Sequence, residues 1–129
     1  MNILVVEDNP SHLKLARLVL SAAGHNVSDA EAAEQAFNSI KLEKPQVILV
    51  DLMLPGMDGL ALVRKLKADP ETRDLHDIVV TSYPDRYPKR DALAAGCDAY
   101  LVKPINTREL PHLVASVAGR TDQIGRAHV

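Results

Sequence analysis

The chain alternates short apolar runs with longer amphipathic segments. Five runs are short, rich in β-branched residues and bounded by polar residues, which is typical of strands buried on both faces of a sheet. The second run is the weakest of the five. The predicted strands are Ile3–Val6, Asn26–Ser28, Val47–Val50, Ile78–Val80 and Tyr100–Val102.

The segments that follow these runs repeat apolar residues three or four positions apart, which predicts amphipathic helices. The fourth helix is short, Ala92–Ala95, and Gly96 follows it as the expected C-terminal cap. Gly24 closes the first helix in the same way. The four longer stripes are Leu13, Ala16, Leu20 and Ala23; Ala33, Ala36, Phe37 and Ile40; Gly59, Leu62, Val63 and Leu66; and Leu110, Leu113, Val114 and Val117.

Five strand–helix units in succession predict an α/β fold. Right-handed crossovers would place helices on both faces of one parallel sheet. A length of 129 residues, without internal repeats or linkers, fits one domain.

Composition narrows the class of function. The chain is 47% hydrophobic and 25% charged, as in folded globular proteins. Fifteen Lys and Arg stand against 17 Asp and Glu, so no basic excess suggests direct nucleic-acid binding. One cysteine excludes an internal disulfide, and no apolar run approaches the roughly 18 residues of a membrane span. A reducing, cytoplasmic location away from membranes is therefore expected.

Polar residues follow four of the five predicted strands. Glu7 and Asp8 follow the first, Asp51 the third, Thr81 the fourth and Lys103 the fifth. Parallel strands end at one edge of a sheet, and ligands bind outside that edge, so these side chains are expected to meet. One Asp after a strand is more often a turn or helix-cap residue, but five such residues together predict a site.

The expected site is suited to phosphoryl transfer. Three carboxylates repel one another, and Lys103 supplies only one positive charge, so a divalent cation is expected. An all-oxygen ligand set favours Mg²⁺. Carboxylates can act as nucleophiles and form an aspartyl phosphate. Asp51 is the best nucleophile candidate because it stands alone at its strand end, whereas Glu7 and Asp8 form a pair suited to the metal.

Four motifs of the sequence resemble those of the receiver domain of two-component response regulators, the chemotaxis-regulator fold. The similarity runs from about Asn2 to Gly119. It implies a flavodoxin-like, doubly wound sheet of five parallel strands in the order 2-1-3-4-5. The motifs are ILVVEDNP at Ile3–Pro10, VILVDLMLPGMDG at Val47–Gly59, VVTSY at Val79–Tyr83 and LAAGCDAYLVKPI at Leu93–Ile105.

The resemblance also implies roles for the residues of the site. Asp51 would be the phosphoacceptor and would share in holding Mg²⁺. Asp8 would bind Mg²⁺ directly, Glu7 through water, and the backbone carbonyl of Met53 would complete the site. Lys103 would contact the phosphoryl group.

By the same resemblance, Thr81 is the switch hydroxyl and Tyr100 the aromatic rotamer switch. The Lys103-Pro104 bond would be cis, which X-Pro bonds tolerate. Phosphorylation would remodel the surface of the fourth helix, fifth strand and fifth helix, which controls a partner or output domain. The phosphodonor would be a phosphohistidine on a histidine kinase or phosphotransfer protein. The domain would act as a switch and not as an enzyme. It would be a monomer or a dimer whose formation phosphorylation promotes.

Other classes stay open beside this one. The chain could be a receiver fragment of a longer response regulator or of a hybrid histidine kinase. A remote alternative is an aspartyl-phosphate phosphatase of the haloacid-dehalogenase type, but Met53 stands where that family has its second Asp. A flavodoxin-like cofactor protein is disfavoured because Glu7 and Asp8 would repel a phosphate.

The end of the chain is expected to lie outside the domain. Residues 1–122 are predicted to form the receiver domain and residues 123–129 a non-native tail. The last six residues, IGRAHV, fit no predicted element and resemble a translated sequencing adapter. The natural chain could then continue into an output domain.

A few remaining polar residues are expected to be solvated. Asp77 would be an exposed strand end, and Lys67 lies in a mixed charge run that is typical of a solvated helix end. His12 and His76 are expected to face solvent. Cys97, by contrast, is expected to be a buried small residue.

Overall fold

Five strands alternate with five helices along the chain. The structure, a computed structural model, describes the backbone of residues 1–127 and the side chains of residues 1–119. The elements are β1 (Asn2–Val6), α1 (Pro10–Ala22), β2 (Asn26–Ala30), α2 (Ala33–Leu42), β3 (Val47–Asp51), α3 (Gly59–Ala68), β4 (His76–Thr81), α4 (Lys89–Ala95), β5 (Ala99–Val102) and α5 (Glu109–Ala127).

The strands form one parallel sheet in the order β2-β1-β3-β4-β5. This confirms the predicted fold class and strand order. The order reverses between β1 and β3, where Val6 pairs with Val50. On the other side of β3, Asp51 pairs with Val80. The carboxyl ends of β1 and β3 therefore flank the crevice in which doubly wound sheets bind ligands.

Alternate residues of the central strands face opposite layers of helices. Ile3 and Val5 pack with α1 and α5 on one face, and Leu4 and Val6 pack with α2 and α3 on the other. A third cluster joins Val79 of β4 to α3 and α4. Because both faces are covered, the central strands are apolar except near their ends, as their sequence predicts.

Local sequence sets the helix ends. The Asn9 side chain caps α1 by accepting hydrogen bonds from the backbone N–H groups of Ser11 and His12. Gly96 ends α4 in the left-handed conformation with φ +108°, as its position predicts. The helix α1 ends one residue earlier than its apolar stripe, because Ala23 is the cap and Gly24 follows with φ +91°.

Three further expectations concern the second strand, the Lys103-Pro104 peptide bond and the end of the chain. The weak second strand is two residues longer than predicted, because pairing with β1 extends it to Ala30. The Lys103-Pro104 bond is cis, as expected. The helix α5 runs over Glu109–Ala127. The domain boundary at residue 122 stays a prediction, and residues 128 and 129 of the predicted tail lie outside the described residues.

No helix in residues 1–127 has both the length and the apolar character needed to cross a membrane.

The expectation that Asp77 is exposed is wrong. The strand β4 begins two residues earlier than predicted, at His76, and Asp77, enclosed between β3 and the α4–β5 turn, is 0% exposed. Its backbone N–H donates to Asp98 Oδ2 and its carbonyl accepts from the Asp98 N–H, both at 2.8 Å. Burial raises the pKa of Asp77 to about 7.

The positive charge beside Asp77 is the Lys67 ammonium. The Lys67 side chain is also less exposed to solvent than expected. Lys67 Nζ lies 3.3 Å from Asp77 Oδ2 and donates to the carbonyl of Leu75 at 2.7 Å. The contact with Asp77 is an ion pair without hydrogen-bond geometry, so both Asp77 carboxylate oxygens lack a hydrogen-bond partner in the described part of the chain. His76 is also partly buried, with its Nδ1 3.7 Å from Asp98 Oδ2. Cys97 is buried, as predicted.

Candidate functional site

The structure brings four of the five predicted strand-end residues into one cluster at the carboxyl edge of the sheet. Asp51 is the last residue of β3, and Glu7 and Asp8 follow β1 directly. Lys103 follows β5 and reaches across the edge to Glu7 and Asp51. Thr81 is the last residue of β4 and lies at the same edge of the sheet.

Lys103 is the central cation of the cluster. Its side chain is 9% exposed and donates hydrogen bonds to the Glu7 carboxylate and, at 3.2 Å, to Asp51 Oδ2. The Lys103 backbone N–H donates to the carbonyl of Thr81 at 2.8 Å, which fixes the residue at the end of the sheet. Because little water reaches the ammonium, its attraction to both carboxylates is weakly screened.

The three carboxylates fit the oxygen ligand set of Mg²⁺. One oxygen from each of Glu7, Asp8 and Asp51 lies within 4.8 Å of the others. Glu7 and Asp51 are buried, and Asp8 is exposed at the mouth of the cleft. Such a set leaves room for water ligands, which Mg²⁺ usually keeps.

The surroundings of Glu7 disfavour its charged form and raise its pKa to about 7. Burial is the largest cause, and the hydrogen bond and repulsion from Asp51 add to it, whereas Lys103 acts in the opposite direction. The cluster holds three carboxylates and one ammonium, so a divalent cation would relieve the remaining repulsion.

Asp51 is held with both carboxylate oxygens engaged. Its Oδ1 accepts a hydrogen bond from the Met53 N–H at 3.0 Å, and its Oδ2 accepts from Lys103. The side chain borders an open cleft, in which a donor molecule could reach it. That cleft is lined by Asp8, Asn9, Pro10, His12, Asp51, Met53, Ser82, Tyr83 and Lys103. Met53 thus lies beside the carboxylates, and the role of its carbonyl as a metal ligand stays a prediction.

The two predicted switch residues lie on β4 and β5 and are held by the loop after β4. Thr81 is fully buried, and its Oγ1 accepts from the Tyr83 N–H at 2.9 Å. Tyr100 is partly buried, and its hydroxyl donates to the backbone carbonyl of Tyr87 at 2.5 Å. One segment, residues 83–87, therefore bonds to both side chains.

The sequence reasoning missed His12. Its side chain is 46% exposed, yet its Nδ1 lies 2.9 Å from Lys103 Nζ and 3.4 Å from Glu7 Oε1. His12 is exposed, as expected, but its Nδ1 contacts the site. The available signal was its place in the first turn of α1, five residues after Glu7, where a helix starting at the sheet edge directs side chains over that edge.

Comparisons with known proteins match the chain to one family. The family described as the response regulator receiver domain matches residues 3–115. The phosphate regulon transcriptional regulatory protein PhoB of Pseudomonas aeruginosa is 37% identical over 119 residues, which are 92% of this chain and 52% of PhoB. The chain therefore spans about half the length of that relative.

Two solved structures share the fold along nearly their whole length. A putative response regulator from Chloroflexus aurantiacus has a TM-score of 0.87 at 30% identity, over 92% of this chain and 97% of that one. The receiver domain of the sensor histidine kinase PA1611 from Pseudomonas aeruginosa has a TM-score of 0.83 at 30% identity, with the same coverage. That structure holds a magnesium ion in its active-site cleft.

Proposed function

The chain belongs to the family of response regulator receiver domains, and we propose that it is a phosphorylation-dependent switch of a two-component phosphorelay with Asp51 as the phosphoacceptor. The observation that carries this proposal is the contact of the Asp51 carboxylate with Lys103 inside a cluster of three carboxylates. A lone surface Asp would have neither partner.

The proposed reaction transfers a phosphoryl group from a phosphohistidine of a histidine kinase or phosphotransfer protein. An oxygen of the Asp51 carboxylate forms a bond to phosphorus, the P–N bond breaks, and the imidazole leaves with its electron pair and takes up a proton. Lys103 donates a hydrogen bond to a phosphoryl oxygen. Asp51, Asp8, the Met53 carbonyl and, through water, Glu7 would hold Mg²⁺, which offsets charge on the phosphoryl oxygens.

The proposed switch begins with the charge of the new phosphoryl group, about −1.5 to −2. The Thr81 hydroxyl gives up its bond with the Tyr83 N–H and turns toward a phosphoryl oxygen. The loop after β4 moves with it, and the Tyr100 hydroxyl leaves the Tyr87 carbonyl and turns inward. The surface formed by α4, β5 and α5 then changes, and a partner that prefers the new form shifts the population further.

Two exposed apolar side chains lie on that surface, and others lie on α1 and α2. Leu93 on α4 is 47% exposed and Val102 on β5 is 44% exposed. Such residues suit a face that binds a partner protein or an output domain in one of its two states.

A closely related alternative is that the chain is the receiver portion of a longer response regulator or hybrid histidine kinase. It is supported by the 52% coverage of PhoB and by the likeness to a receiver domain of a sensor histidine kinase. The chemistry at Asp51 is the same in both cases, and the whole protein's output differs. The phosphatase alternative has no comparable support, because Met53 offers no acid–base group.

The proposal is tested by incubating the chain with Mg²⁺ and acetyl phosphate and measuring its intact mass. We expect one added phosphoryl group, which is lost in acid or alkali, on the wild type and on the control Asp91→Asn, an exposed carboxylate on α4. Asp51→Asn should gain none. An acid-labile phosphoryl group on Asp51→Asn would show that the phosphoacceptor is a different residue.

A further inference from the structure

The Lys103 ammonium has three N–H donors and three acceptors around it. Two are the carboxylates of Glu7 and Asp51, and the third is His12 Nδ1 at 2.9 Å. An ammonium cannot accept a hydrogen bond, so His12 Nδ1 must offer its lone pair and the ring proton must lie on Nε2. His12 Nδ1 is therefore the third acceptor for this ammonium, beside a site of opposing charges.

The start of α1 places the backbone of His12 beside the carboxyl edge of the sheet. The His12 backbone N–H donates to the Asn9 side chain at 3.2 Å, which anchors the first helical turn. Ala16 lies one turn further on the same helix face and is buried in the core. This face of α1 therefore packs against the sheet. The His12 side chain lies on the same face, at the carboxyl edge of the sheet where Lys103 is located.

Without His12, two acceptors would hold the Lys103 ammonium, and both lie on its carboxylate side. The third N–H would point to water in the cleft, and the ammonium could rotate or shift toward Glu7. A group that is already in place over the reacting carboxylate needs no rearrangement during the reaction. We propose that His12 is a positioning residue that fixes the Lys103 ammonium over Asp51. Its kinetic consequence rests on the proposed phosphorylation of Asp51.

The kinetic test compares the rate of phosphorylation by acetyl phosphate in His12→Leu, His12→Gln and the control His112→Leu, which removes an exposed histidine from α5. His12 is partly exposed, so the loss of this hydrogen bond should have the effect of an ordinary one and slow His12→Leu roughly three- to tenfold. His12→Gln keeps an acceptor oxygen and should recover most of the rate, and His112→Leu should match the wild type. Equal rates in His12→Leu and wild type, with equal melting temperatures, would overturn the proposal.

A second measurement does not depend on phosphorylation. In the full chain at about pH 8, where histidine is neutral, the ¹⁵N chemical shift of His12 Nδ1 reports whether that nitrogen accepts a hydrogen bond. Lys103→Met should move this shift toward that of an unbonded nitrogen, whereas Lys14→Met, on the exposed side of α1, should not. An unchanged shift in Lys103→Met would overturn the proposal. A normal His12–Lys103 signature in a chain that takes no phosphoryl group would instead overturn the proposed function.

Discussion

At the scale of single residues, two buried carboxylates have a pKa near neutral pH and are expected to make the stability of the fold depend on pH. Glu7 and Asp77 both have a pKa raised to about 7, chiefly by burial. Glu7 belongs to the cluster at the carboxyl edge, and its ionisation is tied to Lys103 and Asp51. Asp77 lies at the opposite end of the sheet, where Lys67 is its ion-pair partner, so its effect can be separated from the site.

We expect Asp77 to make the wild type less stable as pH rises. Its pKa is higher folded than unfolded, so its favourable contribution is complete below about pH 4 and is lost as the pH rises through about 7. Asp77→Asn keeps the shape and cannot ionise. Its stability relative to the wild type should therefore increase by about 2 to 3 kcal/mol between roughly pH 5 and pH 8.

This is measured by urea unfolding of both proteins across that pH range, with Asp91→Asn as the control for loss of an exposed carboxylate. A constant difference between Asp77→Asn and the wild type would mean that Asp77 keeps one protonation state throughout.

At the scale of elements, the contact between α3 and β3 positions the phosphoacceptor. Gly59 begins α3, and its N–H donates to the Leu52 carbonyl at 2.9 Å. A Cβ on Gly59 would lie 2.6 Å from the Asp51 carbonyl oxygen and from the Leu52 Cα, both of which are backbone atoms. The start of α3 can approach the end of β3 because this residue has no side chain.

Gly59→Ala is therefore expected to destabilise the fold by about 1 to 3 kcal/mol, because the backbone of β3 or α3 must shift to admit the methyl group. Displacement of Asp51 should also slow its phosphorylation. The free energy of unfolding from urea titrations measures the first effect, and the acetyl phosphate reaction measures the second.

The matched control is Gly119→Ala, within α5, where a Cβ would meet nothing within 4 Å. The same substitution there should stabilise the chain by about 0.5 to 1 kcal/mol, because alanine favours the helix. If both variants shifted stability in the same direction, the close approach at Gly59 would not explain the result.

At the scale of the whole molecule, the charge of the chain is concentrated at one edge of the sheet. The formal charges of Glu7, Asp8, Asp51 and Lys103 give −2, which equals the net charge of the whole chain. The remaining charges cancel, so the mild acidity of the protein describes the site and not a general acidic surface. A cation that binds there would stabilise the folded chain, because the unfolded chain has no such cluster.

We expect Mg²⁺ to raise the free energy of unfolding by about 1.4 kcal/mol for each tenfold increase above its dissociation constant. Asp8→Asn removes one carboxylate from the exposed side of the cluster and should lose most of this gain. Urea unfolding at several MgCl₂ concentrations and constant ionic strength measures it, with Asp91→Asn as the control. A gain that is undiminished in Asp8→Asn would place the stabilising Mg²⁺ elsewhere on the molecule.

The sequence by itself determined the architecture and most of the site. Apolar runs define buried parallel strands, and parallel strands end at one edge, so the positions of Glu7, Asp51 and Lys103 follow from where each run stops. The left-handed cap at Gly96 follows from local backbone preference in the same way. These features depend on spacing within one segment, or on a rule that applies to the whole sheet.

Only the tertiary structure decided which side chains meet across the fold. His12 and Lys103 are 91 residues apart in the chain, and their contact depends on where the fold places the first turn of α1 relative to the residue that follows β5. Asp77 was expected at an exposed strand end, but the register of β4 and the reach of Lys67 enclose it. Periodicity specifies the face on which a residue lies, whereas its burial and its partner depend on neighbouring elements that the local pattern does not contain.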